Sequence, residues 1–130
     1  MQDQSLPRTG KKILVIEDEH FISELYHRAL INAGYDVTME ADGQKGLAAA
    51  QSDQYDLILL DLMIPTITGI EVLRTLRDTK KTPKLHAKIV VATNLEQREE
   101  VRADVESQAD GYIIKAEMTP HQLVTFLDTV

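Results

Sequence analysis

Apolar positions along this chain fall into short β-branched runs that alternate with stretches of helical spacing. Residues 12–16 (KILVI) are the first run and predict a strand, which Glu17, Asp18 and Glu19 bring to an end. Ile22, Leu25, Tyr26, Ala29, Leu30 and Ala33 then recur at helical spacing, and Gly34 is placed to stop that helix in the left-handed conformation. Residues 35–40 (YDVTME) alternate and predict a second, half-exposed strand, followed by a short Ala-rich helix over 43–51. The third strand is predicted over 56–60 (DLILL), and the helix after it carries Ile67, Ile70, Leu73 and Leu76. Residues 87–93 (AKIVVAT) predict a fourth strand, and 96–107 a heavily charged helix with a thin apolar stripe at Val101 and Val105. Residues 112–115 (YIIK) predict the fifth strand. Thr119 reads as an N-cap with Pro120 at the first helical position, and Leu123, Phe126, Leu127 and Val130 form the apolar face of the last helix.

Five strand–helix units in strict alternation predict an α/β fold, a doubly wound five-stranded parallel sheet with helices on both faces. Right-handed crossovers narrow the topology to a few doubly wound forms, of which the flavodoxin-like strand order 2-1-3-4-5 is one. A length of 130 residues leaves no room for a second domain. Residues 1–10 are polar and without periodicity and read as a disordered tail, with the domain over 11–130.

Composition changes this picture in three places. No apolar run approaches the roughly 20 residues needed to cross a membrane, and the N-terminus holds no hydrophobic signal segment. A cytoplasmic protein without membrane contact is therefore expected. The absence of cysteine excludes disulfides and thiolate chemistry. A net charge of −7, from 14 basic and 21 acidic residues, argues against direct nucleic-acid binding and suits a site that holds a cation.

The candidate chemistry lies where strands end. Open parallel sheets gather ligands outside the carboxyl ends of their strands, at the point where strand order reverses. The apolar third run delivers Asp61 there, with Pro65 and Gly69 shaping the loop that leads away. In the order 2-1-3-4-5 the first strand is its neighbour and brings Glu17 and Asp18, so three carboxylates converge. Like charges at that range push one pKa upward unless a cation relieves them, and hard oxygen ligands suit Mg²⁺. The fourth strand ends in Thr93 and the fifth in Lys115. His20, His27, His86 and His121 show no ligand spacing and read as surface or packing residues.

In ILVIEDE, the DLxxPxxxG pattern from Asp61 to Gly69, VVAT and YIIK, the chain resembles the receiver domain of a two-component response regulator over residues 11–130. The resemblance implies that a histidine kinase donates a phosphoryl group to Asp61. Asp18 would be the direct Mg²⁺ ligand, Glu17 would act through a coordinated water, and the main-chain carbonyl of Met63 would complete the protein ligands. Thr93 would bond a phosphoryl oxygen and Lys115 would pair with the carboxylate or phosphoryl group. Tyr112 would be the aromatic whose burial follows the movement of Thr93. The fourth helix, fifth strand and fifth helix would form the surface for a downstream protein or a fused output domain. Such a chain is a signalling domain whose only chemistry is self-directed phosphotransfer and slow autodephosphorylation.

Three features depart from the family. Ala116 follows Lys115 where proline is usual; a non-proline cis bond costs about 2.5–4 kcal/mol, so a trans bond is expected. Asn94 replaces a small residue after Thr93, and apolar Met63 and Leu95 offer little to orient a water, which predicts slow phosphate loss. The last helix, 122–130, has no arginine or lysine, which weakens the case for the charged symmetric dimer of winged-helix regulators. The chain is a stand-alone receiver or a piece of a longer protein. A phosphorylation-independent interaction module is the alternative reading. A phosphatase with an Asp nucleophile ranks last, because position 63 is Met where those hydrolases carry a second acid.

Overall fold

The computed structural model describes residues 10–94 and 97–130. The expected tail therefore lies almost wholly outside the described residues, as do Leu95 and Glu96. The element order is β1 (Lys12–Ile16), α1 (His20–Asn32), β2 (Asp36–Glu40), α2 (Gly43–Gln51), β3 (Leu57–Asp61), α3 (Gly69–Arg77), β4 (Lys88–Thr93), α4 (Glu99–Gln108), β5 (Gly111–Ile114) and α5 (Pro120–Thr129). All pairings are parallel and the sheet runs β2-β1-β3-β4-β5, the order expected from the alternation.

Both faces of the central strands are apolar, so their side chains divide by parity between two cores. Leu14, Ile16, Ile58, Leu60, Ile89 and Val91 pack with Val72, Leu73, Leu76 and Val105 beneath α2, α3 and α4. Ile13, Val15, Leu57, Leu59, Val90 and Ala92 pack with Tyr26, Leu30, Leu123 and Leu127 beneath α1 and α5. β2, at the edge, is the half-buried strand its alternation predicts.

Local signals end the helices as their chemistry requires. Gly34 has φ 94°, and the amides of Gly34 and Tyr35 bond back to Ile31 and Leu30 carbonyls, closing α1. Thr119 and Gln122 form a reciprocal capping box at the start of α5, with Pro120 inside it. Elsewhere element limits move by a few residues. Asp56 lies before β3 because its carboxylate accepts the Lys12 amide (2.9 Å). Ile67 precedes α3, whose N-cap is Thr68. The charged helix starts at Glu99, where Arg98 supplies no capping side chain. β5 stops at Ile114, and Lys115 opens a single 3-10 turn, Lys115–Glu117, instead of ending the strand.

Candidate functional site

The acids of the site stand at adjacent strand ends because β1 and β3 are neighbours in register, Ile16 beside Leu60. Glu17 follows β1 directly and is held by its own amide bonding to the Glu40 carbonyl of β2 (2.9 Å). Asp61 is the last residue of β3. Glu17 and Asp61 are each only 3% exposed, whereas Asp18 is open to solvent. One carboxylate oxygen from each of the three lies within 4.8 Å of the others.

Lys115 reaches into this cluster from the turn after β5 and is itself 6% exposed. Its Nζ donates to Glu17 Oε1 in a short contact and lies 3.1 Å from Asp61 Oδ2. The peptide after it is trans, as are all peptides among the described residues. The turn therefore does the aiming that a strand end was expected to do. Asp61 Oδ1 accepts the Met63 amide at 3.0 Å, so both oxygens of Asp61 are oriented. The Met63 side chain points to solvent, 68% exposed, as does Phe21 at the start of α1.

The electrostatics follow from burial. Glu17 is pushed above the usual carboxylate range, chiefly by desolvation. Its hydrogen bonds from Lys115 and the Glu19 amide oppose that rise, while the Asp61 charge adds to it. Tyr26 on α1 feels the same charges: burial first, then Glu17 and Asp61, raise its hydroxyl to about 12. Sequence periodicity marked Tyr26 only as part of an apolar face, and nothing in its spacing tied it to the acids.

Thr93 ends β4 fully buried, one residue beyond the Ala92 that pairs with Asp61. Its Oγ1 accepts from Gln97 Nε2 at 3.3 Å, a partner that sequence reading missed. Tyr112 sits lower in β5, opposite Val91, and packs against the core beneath α2–α4. Its buried hydroxyl has no hydrogen-bond partner among the described residues, and the Arg102 guanidinium lies 4.6 Å above its ring. Glu17, Asp18, Asp61 and Lys115 are thus gathered into one cluster, with Thr93 at the same sheet edge and Tyr112 on the neighbouring surface. Asn94 is exposed, and Leu95 lies outside the described residues.

Three convergent carboxylates, two of them buried, are a hard oxygen donor set of the kind that fits a small divalent cation with retained waters. Residues 13–128 match the family model of the response regulator receiver domain. The chain belongs to that family. The response regulator ArlR of Staphylococcus saprophyticus is 40% identical over 104 residues, 80% of this chain. That overlap is 45% of the relative, so this receiver chain spans about half the length of the curated relatives it matches. Among solved structures, the chemotaxis response regulator CheY4 of Vibrio cholerae superposes with a TM-score of 0.78 at 28% identity, covering 93% of this chain and 98% of the other. The BeF3-activated N-terminal receiver domain of RstA from Klebsiella pneumoniae gives 0.77 at 28% identity, covering 91% and 96%. A receiver is a signalling domain of a two-component system. Among the described residues of this one, no helix is long and apolar enough to cross a membrane.

Proposed function

We propose that this receiver is a phosphorylation-activated switch in which Asp61 accepts a phosphoryl group from a histidine kinase. The reading rests above all on one observation: Asp61, buried at the end of β3, faces Lys115 Nζ at 3.1 Å and shares its pocket with Glu17 and Asp18. An oxygen of Asp61 attacks phosphorus, the P–N bond of the donor phosphohistidine breaks, and its electron pair returns to the imidazole. There is little covalent work for the protein beyond positioning and charge neutralisation. Met63 N–H fixes one carboxylate oxygen and Lys115 faces the other.

Mg²⁺, held by Asp18, Asp61 and the Met63 carbonyl, with Glu17 acting through water, would supply the charge neutralisation that three clustered acids lack. Before reaction the three carboxylates, a divalent cation and Lys115 sum to zero. An acyl phosphate near −2 leaves one negative charge for the Thr93 hydroxyl and main-chain amides to share. Moving Thr93 breaks its bond to Gln97 and frees space towards Tyr112, so the charge event reaches the surface of α4, β5 and α5. That surface is where a downstream protein or a fused output domain would bind. Exposed apolar Met63 and polar, exposed Asn94 offer no acid or base to activate water, which favours slow phosphate loss.

Intact mass after incubation with a small-molecule phosphodonor and Mg²⁺ tests the reading. One phosphoryl group is expected on the wild type and none on Asp61→Asn or in the presence of a chelator. No gain on a folded wild-type protein would favour a phosphorylation-independent interaction module.

A further inference from the structure

The loop between β3 and α3 contains a residue that ought not to be there. Thr66 has φ 79°, a left-handed conformation that a β-branched side chain adopts only under constraint. The constraint comes from the loop before α2. Asp42 caps that helix, its Oδ1 accepting the amides of Gln44 (2.8 Å) and Lys45 (2.9 Å), and its Oδ2 accepts the Thr66 hydroxyl at 2.5 Å. The same two loops are joined by the Gly43 amide to the Pro65 carbonyl (3.0 Å). They approach so closely that a Cβ at Gly43 would lie 2.4 Å from the Ile67 carbonyl oxygen. The far end of the loop is closed by the Gly69 amide on the Leu62 carbonyl (3.0 Å). Thr66 bonding lowers the Asp42 carboxyl below its usual range, which keeps the acceptor ionised.

We infer that Asp42 is a positioning residue: through Thr66 it holds the loop in the shape that presents the Met63 main chain to the acid cluster, and so sets the affinity of the site for its divalent cation. The inference rests on the reading of that cluster as a Mg²⁺ site. Met63 is only three residues from Thr66. Its amide bonds to Asp61 Oδ1 and the Leu62 carbonyl of the same peptide accepts the Gly69 amide, while the Met63 carbonyl belongs to the next peptide, on the Thr66 side. If the Thr66 link is lost, the strained residue relaxes towards negative φ and the Met63 carbonyl loses its fixed direction. Outer partners that orient metal ligands typically change affinity by about 10–100-fold.

The test is a calorimetric Mg²⁺ titration with thermal melts alongside. Asp42→Ser keeps a helix cap but is too short to reach Thr66, and Thr66→Val keeps the branch without the hydroxyl. Each is expected to weaken Mg²⁺ by about 10-fold, and the double variant no further, because both remove one link. Thr66→Ser keeps the hydroxyl and the affinity. Thr66→Gly can adopt φ 79° and so folds, but without the hydroxyl Asp42 no longer holds residue 66 there and glycine samples other angles freely, so it is expected at the weakened affinity. Wild-type affinity in Thr66→Gly and Asp42→Ser would overturn the link alone, provided Asp18→Asn and Asp61→Asn still weaken binding. A wild-type protein that takes up no Mg²⁺ would overturn the metal reading and the link with it.

Discussion

Where the strands begin, carboxylates accept the amides of the strands themselves; where they end, two carboxylates are buried beside a lysine and accept only loop amides, Glu19 on Glu17 and Met63 on Asp61. Asp56 accepts the Lys12 amide at 2.9 Å and Asp110 the Ile89 amide at 2.8 Å, so two acids close the openings of β1 and β4. His86 lies between Asp53 (2.8 Å) and Asp56 (3.3 Å), and Arg77 adds a bond to Asp110 at 3.0 Å. At the opposite edge Glu17 and Asp61 are buried beside one lysine and an exposed third acid. The pKa directions record the difference. Asp56 is drawn below the carboxylate range, first by the Lys12 amide, whereas burial pushes Glu17 up. A carboxylate that closes the start of a strand near solvent is structural; desolvation among other charges marks a carboxylate as a candidate for chemistry.

Removing Lys115 should break this contrast most severely. Lys115→Met leaves Glu17 and Asp61 buried without their cation and is expected to cost about 3–5 kcal/mol in metal-free protein, read by urea unfolding at neutral pH. Glu17→Gln in the same background should return part of that loss. At the other edge, Asp110→Ala strands the Ile89 amide and frees Arg77, for an expected loss of about 1–3 kcal/mol. Asp110→Asn, which still accepts a bond, should lose less.

Acid titration sharpens the comparison. Glu17 has a folded pKa above its ordinary 4.5, so the native state binds the proton more tightly than the unfolded chain. Its contribution is complete below 4.5 and is lost as pH rises through the folded value. Metal-free protein should therefore gain from Glu17 as pH falls from neutrality towards 4.5, and Glu17→Gln should flatten that part of the melting curve. Asp56 runs the other way, its contribution present above its ordinary 3.8 and lost as pH falls below it. The smallest effect is expected at His86→Ala: its ring is 55% exposed, so its contacts with Asp53 and Asp56 should be worth no more than about 1 kcal/mol by chemical denaturation.

The fold was legible because its information is local. Four apolar runs and one alternating run declare the strands, and the intervening helices force parallel crossovers. The acids at 17, 18 and 61 were legible for the same reason, since Glu17 and Asp18 come straight after one such run and Asp61 ends another. What was not legible depends on contacts between distant loops. YIIK continues the β pattern through Lys115, yet the lysine leaves the strand and opens a 3-10 turn, because its charge is drawn to Glu17 and Asp61. Thr66 beside Asp42, Gln97 beside Thr93, and His86 between two aspartates carry no spacing rule. Thr66 is the hardest to foresee, since Gly or Asn would be the ordinary choice for its backbone angle.

Tyr112 makes the molecule its own indicator. The chain has four tyrosines and no tryptophan, so near-ultraviolet absorption and emission come from few sources. One of them, Tyr112, buries a phenol with no hydrogen-bond partner among the described residues, and a guanidinium lies over its ring. Any event that turns that ring or supplies an acceptor changes the local field on the chromophore. If Asp61 accepts a phosphoryl group as proposed, the surface that would greet a partner can thus be watched optically, without a label.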